Sequence, residues 1–346
     1  MKKINFIRAN KTKFGGAEVY LTRLCEALTK QNIEFEVINS KIPKFLPSWV
    51  RVLLFNRQVS QHKNSQFYFS LERISCPDIY RAGDGVHKVF LSIENKSKTN
   101  LLHKVYLSLE KKCFNNAKKI IANSNMIKTE IINTFNIKPE KIEVIYNGVN
   151  LEKPDFKTSY KNVGKEFKLY KSKGQKVFVY VGSGFKRKGV EEFLEILSKL
   201  EYKNFKAFII GKEKRMQSYK EKSKELGIEN KVVFTGPRTD VKDFYTVADI
   251  FLFPTRYEPF SNVVLEAMNY SNVVITTKQN GAHEILPEEF IMENSKDFSI
   301  VKTIDTLLED DKKLNKIKYN NMQTVKKFSI EKNLEKTLKV INEVID

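Results

Sequence analysis

Glu258 and Glu266 stand eight positions apart, around the run Pro259-Phe260-Ser261-Asn262-Val263-Val264-Leu265. The apolar residues 249–254 just upstream read as a buried parallel strand. Residues 262–270 read as a helix, with Ser261 or Asn262 as its N-cap. The first glutamate then falls in a strand-to-helix loop and the second about one turn into the helix. First-turn N–H groups have no acceptor within the helix and carry the positive end of its dipole. Such a helix start suits an anion, most naturally a phosphate. Carboxylates on either side of a phosphate cradle suit sugar hydroxyls, from which they accept strong hydrogen bonds. The pattern points to a sugar nucleotide. On spacing alone an ordinary helix with acids near its start is an equal reading.

Three more loops are phosphate-compatible. Gly15-Gly16 opens a helix, where glycine lets backbone approach a ligand closely. The loop 182–189 reads Gly-Ser-Gly-Phe-Lys-Arg-Lys-Gly. Arg187 and Lys188 immediately before a helix start oppose its dipole unless an anion sits there, which favours a diphosphate clamp over a solvated turn. Gly236, Pro237 and Arg238 follow a strand and could offer groups to a nucleobase edge. A plain strand-to-helix loop capped by Thr239 or Asp240 fits that segment equally well.

The elements that must position these loops alternate along the chain. Strands are expected at 4–8, 35–38, 119–122 and 142–145, and a helix at about 17–30. A second series of strands is expected at 177–181, 208–210, 232–234, 250–253 and 273–275. From 298 onwards the chain reads as helices only. This alternation argues an α/β fold with largely parallel sheets. The charged stretch 151–174, with Pro154 and Gly164, reads as a linker. The expected domains are 1–160 and 161–328, with a last helix over 329–346 that could return to the first domain. Two doubly wound domains would enclose a cleft, with ligands beyond the carboxyl ends of the strands.

Composition bounds the rest. The 346 residues are 41% hydrophobic, ample for packed cores. No apolar run is long enough to span a bilayer. The start of the chain lacks the apolar core of a signal peptide. Cys25, Cys76 and Cys113 are odd in number and widely spaced, which suggests a reducing compartment and neither disulfides nor a zinc site. The formal net charge is +20, from 61 Lys and Arg against 41 Asp and Glu. Compositional drift in a Lys-, Asn- and Ile-rich chain explains many lysines but not so large an imbalance. An anionic surface is the expected partner. Residues 96–119 hold seven lysines and one acid, Glu110. Their apolar stripe is expected to pack inward and their lysines to meet an anionic membrane.

Taken together and in this order, Gly15-Gly16, Asn147-Gly148-Val149, Arg187-Lys188-Gly189 and the stretch from Glu258 to Glu266 resemble retaining glycosyltransferase family four, of the GT-B fold. The resemblance covers nearly the whole chain. Residues 78–87 and 185–190 are further similar to the lipopolysaccharide core glucosyltransferases that add the first glucose to inner-core heptose. The resemblance implies two Rossmann-like domains facing each other across a cleft, the first for acceptor and the second for nucleotide sugar. It implies transfer of a hexose, glucose from UDP-glucose foremost, to a lipopolysaccharide or lipooligosaccharide core or another cell-envelope glycan. By the same resemblance Glu258 faces the donor sugar, Glu266 holds the ribose hydroxyls, and Lys188 with Arg187 binds the diphosphate. Phe260, Ser261 and Asn262 supply helix-start amides, Gly16 lies against the donor, and Asp84 is the candidate general base.

Tyr20 departs from the pattern, standing where the core glucosyltransferases have an acid. His87, near Asp84, is expected to be exposed, as lone loop histidines usually are. No cofactor is expected, nor a metal, since Asp-x-Asp spacing is absent and the Asp310-Asp311 pair falls in the helical tail. The expected location is the cytoplasm, peripheral on the inner face of the cytoplasmic membrane. Two rival readings are a nucleotide-sugar 2-epimerase on the same fold, which needs no acceptor, and a basic protein that binds nucleic acid without catalysis. No recognition motif or aromatic stacking platform supports the second.

Overall fold

The computed structural model of the protein describes residues 3–10, 16–96 and 100–345. Gly15 of the first glycine pair and Lys98 of the basic segment lie outside the described residues. The chain forms two compact units, Met1–Asn147 with Ile330–Asp346, and Gly148–Ser329.

The first unit runs β1 (Ile4–Ile7), α1 (Gly16–Lys30), β2 (Phe35–Ile38), α2 (Ser48–Gln61), β3 (Phe67–Ser70), β4 (Ile79–Arg81), α3 (His87–Ile93), α4 (Leu101–Asn116), β5 (Lys119–Ala122), α5 (Asn125–Phe135) and β6 (Ile142–Val144). Its strands are parallel and lie in the order β2-β1-β3-β4-β5-β6. β1 and β3 are buried at every position, as expected of strands covered on both faces. The strand order reverses at β1, which lies between β2 and β3.

The second unit opens with two single turns, α6 (Phe156–Ser159) and α7 (Lys165–Phe167). It continues β7 (Lys176–Val181), α8 (Val190–Lys199), β8 (Phe205–Ile210), α9 (Met216–Glu225), β9 (Val232–Gly236), α10 (Val241–Val247), β10 (Ile250–Phe253), α11 (Asn262–Asn269), β11 (Val273–Thr277), β12 (Ile291–Met292), α12 (Ile300–Glu309) and α13 (Asp311–Val325). Its parallel sheet has the order β12-β11-β10-β7-β8-β9. The reversal falls between β7 and β10, so the loops after these two strands flank the place where such sheets bind ligands.

The last helix, α14 (Ile330–Ile345), packs on the first unit. Its Val340, Ile341 and Ile345 share a core with Phe6, Leu24 and Phe69. Tyr20 Oη lies 3.2 Å from Thr337 Oγ1, and Asn333 donates to the Tyr146 carbonyl at 2.6 Å.

The division between units falls at 147/148, not at 160/161. The stretch expected as a linker is helical and packs on its own unit. Ser159 and Asn162 both donate to Asp243 of α10 at 2.8 Å, and Val163 is fully buried. Pro154 precedes a helix start, and a Cβ at Gly164 would stand 3.1 Å from the Tyr160 ring. Gly164 thus serves packing within this unit.

Candidate active site

The loop after β7 turns back sharply because three glycines permit it. Gly189 has φ 75°, and a Cβ there would come within 1.9 Å of the Pro254 carbonyl oxygen. A Cβ at Gly211 would meet the Gly182 carbonyl at 2.1 Å, and one at Gly182 would stand 3.2 Å from Lys188 Nζ. The close approach holds the loop after β7 against the loop after β10. Arg256 N donates to the Arg187 carbonyl at 2.9 Å, and Arg187 Nη1 returns a bond to the Tyr257 carbonyl at 2.5 Å.

These contacts bring Arg187, Lys188 and Glu258 together. Glu258 Oε2 accepts from Arg187 Nη1 at 2.9 Å and lies 3.5 Å from Lys188 Nζ. Burial alone would raise the Glu258 carboxyl, but the two cations outweigh it and hold the group below the usual carboxylate range. Two positive charges thus converge on one carboxylate at the switch point of the sheet. Such a cluster can be redistributed when a polyanion arrives, with the cations turning to phosphate and the carboxylate to hydroxyl groups.

α11 starts directly beyond Glu258. Ser261 takes the N-cap position in extended backbone, but its hydroxyl makes no capping bond. The Ser261 amide instead donates to Asn280 Oδ1 at 3.3 Å, and Asn280 also accepts from Ala282 N at 3.1 Å. Phe260 and Ser261 are buried and Asn262 is half-buried. Glu266, five residues into the helix, accepts from Tyr245 Oη at 3.3 Å. Tyr245 stacks on Tyr270 at 6.0 Å between ring centres, which fixes the hydroxyl that meets Glu266.

Gly236 ends β9 with φ 73°, and Arg238 follows. Both nitrogen edges of Arg238 are engaged. Nε and Nη2 bond Asp240 at 2.8 and 2.7 Å, and Nη1 and Nη2 bond Glu166 at 3.0 Å each. The expected donor contact of Arg238 would require breaking a double ion pair. Asp240 is consequently held by Arg238 and caps α10 with position only, its carboxylate making no bond to the helix start.

In the first unit, Gly16 is the exposed first residue of α1. Asp84 sits in the turn after β4, 62% exposed, with Arg73 Nη1 4.0 Å from its Oδ2. That turn is anchored from below. Arg73 donates to the Gly85 carbonyl at 3.1 Å and to the fully buried Glu110 at 3.0 Å. Glu110 also accepts from the amides of His87 and Lys88 at the start of α3.

Residues 164–324 match the family described as Glycosyl transferases group 1, and residues 81–153 match Glycosyltransferase Family 4. Two segments of the chain thus resemble glycosyltransferases of these two families. It is 32% identical over 178 residues to an uncharacterized glycosyltransferase of Methanocaldococcus jannaschii, covering 49% of this chain and 45% of the relative. It is 30% identical over 160 residues to the lipopolysaccharide glucosyltransferase WaaG of Escherichia coli, covering 44% and 41%. A capsular polysaccharide biosynthesis glycosyltransferase of Staphylococcus aureus, CapM, is 31% identical over 225 residues, with 62% and 58% covered. The chain thus spans about half the length of the curated relatives it matches. The crystal structure of WaaG superimposes with a TM-score of 0.81 at 18% identity, over 98% of this chain and 99% of that one. Anabaena HepE in complex with UDP-glucose gives 0.74 at 20% identity, over 99% and 100%. These likenesses show the GT-B fold.

One further expectation needs correction. His87 is not an exposed loop residue. It is buried at the start of α3, 3.1 Å from His103 Nδ1, and burial with nearby Arg73, His103 and Lys96 lowers it to about 4. Tyr20 makes core contacts: it is buried, bonded to Thr337, and covered by the Arg81 guanidinium 3.8 Å from its ring centre. Sequence reading also missed Arg73, Glu110, Tyr245 and Asn280. The first two lie 37 positions apart, and no local pattern pairs them.

Proposed function

We propose that this chain is a retaining glycosyltransferase that moves a hexose, glucose from UDP-glucose foremost, onto a lipopolysaccharide core or another cell-envelope glycan. The observation that carries this reading is the convergence of Arg187 and Lys188 on Glu258 beside the start of α11. In this reading the two cations and the amides of Phe260 and Asn262 take the diphosphate, and the Ser261 amide joins them by leaving Asn280. Their preorganised charge stabilises the leaving nucleotide diphosphate as negative charge develops on it. Glu258, relieved of its ion pairs, accepts from the hydroxyls of the donor sugar, and Glu266 accepts from the ribose. Gly15 and Gly16 belong to the donor-binding set in this reading. Asp84 takes the proton of the acceptor hydroxyl, with Arg73 Nη1 4.0 Å from its carboxylate. The transfer is metal-independent, because the protein's own cations meet the diphosphate charge. The likeness to WaaG, a lipopolysaccharide glucosyltransferase, and to CapM, a capsular polysaccharide biosynthesis glycosyltransferase, supports the acceptor class.

A peripheral place on the anionic inner face of the cytoplasmic membrane completes the reading. No helix of the described residues is long and apolar enough to cross a membrane. Lys104, Lys111 and Lys112 of α4 are exposed, and α2, which packs beside α4, exposes Leu53 and Leu54. Lys118 and Lys119 are partly committed, to Asp78 and to the Glu140 carbonyl.

A thermal-shift panel of nucleotide sugars tests the donor. A ligand at ~100 times its dissociation constant adds roughly 2.7 kcal/mol of stability, and UDP-glucose is expected to give the largest shift. A panel in which no nucleotide sugar raises the melting temperature contradicts the proposal.

A further inference from the structure

The donor chemistry leaves one feature of the first unit unused. A cavity of about 340 Å³ lies where the strand order reverses, walled by Ala9 and Asn10 after β1, Ser40 and Ile42 after β2, and Glu72 and Arg73 after β3. Doubly wound sheets bind ligands at this place, beyond the carboxyl ends of the strands. Its lining cations are Lys44, Arg51 and Arg73, against one acid, Glu72.

Two of these four charges are already matched. Glu72 accepts from Arg8 Nη1 and from the Ala9 amide, each at 3.0 Å. Arg73 is bonded to Glu110 and stands 4.0 Å from Asp84. Arg51 and Lys44 are not matched. Arg51 donates from Nη2 to Ser48 Oγ at 3.1 Å, while its Nε is buried without a partner. Among the described residues no carboxylate lies within ion-pair distance of either Arg51 or Lys44. A buried donor left unused on a charged group is uncommon and calls for an acceptor. Val52, Phe55, Leu102 and Tyr106 supply an apolar wall on which a sugar ring could rest.

We infer that this cavity is a subsite for an acidic sugar, in which Arg51 and Lys44 bind a phosphate or carboxylate substituent. The planar guanidinium fits either oxyanion through two parallel hydrogen bonds, and Lys44 adds charge from the exposed rim. Taking that sugar to be part of the acceptor rests on the function proposed above. Arg73, shared between the cavity wall and Asp84, places the subsite beside the candidate base. The enzyme would then select glycan acceptors that carry an acidic group next to the hydroxyl it modifies.

Binding of glucose 6-phosphate, glucuronate and neutral glucose to the full-length protein, followed by ligand-observed NMR, tests the subsite without any transfer. At least one acidic sugar is expected to bind about tenfold more tightly than glucose, and which one does so separates phosphate from carboxylate. Arg51→Gln should remove that preference and Arg51→Lys should restore part of it, with UDP-glucose affinity unchanged in both. Should Arg51→Gln fold poorly, the exposed and unpaired Lys44→Gln should still weaken the acidic sugar several-fold. Equal binding of acidic and neutral sugars, or a preference that survives both substitutions, overturns the inference. Acidic-sugar binding without any UDP-sugar affinity would instead leave the subsite standing and contradict the proposed transfer.

Discussion

A carboxylate held by two cations and a second held by a buried tyrosine should respond differently to removal. Glu266→Ala is expected to weaken UDP and UDP-glucose alike, because ribose is common to both. Glu258→Ala is expected to weaken UDP-glucose more than UDP, by roughly tenfold for one or two charge-assisted bonds to the sugar. Calorimetric titration of both ligands into both variants checks this, and equal losses in all four titrations would sink the assignment. The spacing of Glu258 and Glu266 and the three cations of 186–188 were legible in the sequence because each lies within one loop or one helix turn. What Arg238 does was not legible. Its partners include Glu166, 72 positions away, and only the folded chain brings that carboxylate to it. The pairing of Arg73 with Glu110 was not legible for the same reason.

Among elements, the loop between β7 and α8 is tightly constrained by its glycines. Gly189→Ala puts a Cβ against the Pro254 carbonyl at a left-handed φ, so strain and overpacking should cost roughly 3 kcal/mol. Gly184→Ala, also left-handed but with nothing within 4 Å of its Cβ, should cost only about 1 kcal/mol. Urea unfolding of the two variants measures the difference, and equal costs would mean that the two loops do not depend on this close approach. The start of α3 carries a pH dependence. His87 is lowered from 6.5 to about 4 in the folded protein, so the unfolded chain takes up the proton first as pH falls. Its contribution is fully present above pH 6.5 and is lost as pH drops towards 4, by up to about 3 kcal/mol. His87→Gln should flatten the stability profile across that window, and a slope unchanged from wild type would contradict it. Strands with continuous apolar runs, such as β7 and β10, could be read directly. β3 and β4 could not: β4 has only three residues, and Phe67–Ser70 is a short aromatic run that periodicity does not separate from a loop. The α/β class survived these omissions because the alternation around them is regular.

For the whole molecule, the proposed attraction of the +20 net charge to an anionic surface is open to direct test. Each lysine near an anionic bilayer contributes about 1 kcal/mol, and salt screens the attraction. The protein should sediment with anionic vesicles at low salt, ignore neutral ones, and leave the membrane at high salt. Neutralising Lys104, Lys111, Lys112, Lys118 and Lys119 together should weaken sedimentation, and a five-site variant that binds as tightly as wild type would place the basic surface elsewhere. Compositional excess of lysine and a membrane-facing surface look alike in sequence, because only the fold tells which lysines are exposed and which are committed. The central claim is that the protein's own cations carry the chemistry of a nucleotide-sugar donor. It is tested most directly by following UDP release and the anomeric configuration of the product from UDP-glucose in the presence of EDTA, for wild type and Lys188→Ala. The account predicts undiminished wild-type turnover with retention at the anomeric carbon, and a fall of roughly two to three orders of magnitude in the folded variant. Turnover abolished by EDTA, an inverted product, or wild-type rates in Lys188→Ala would contradict it.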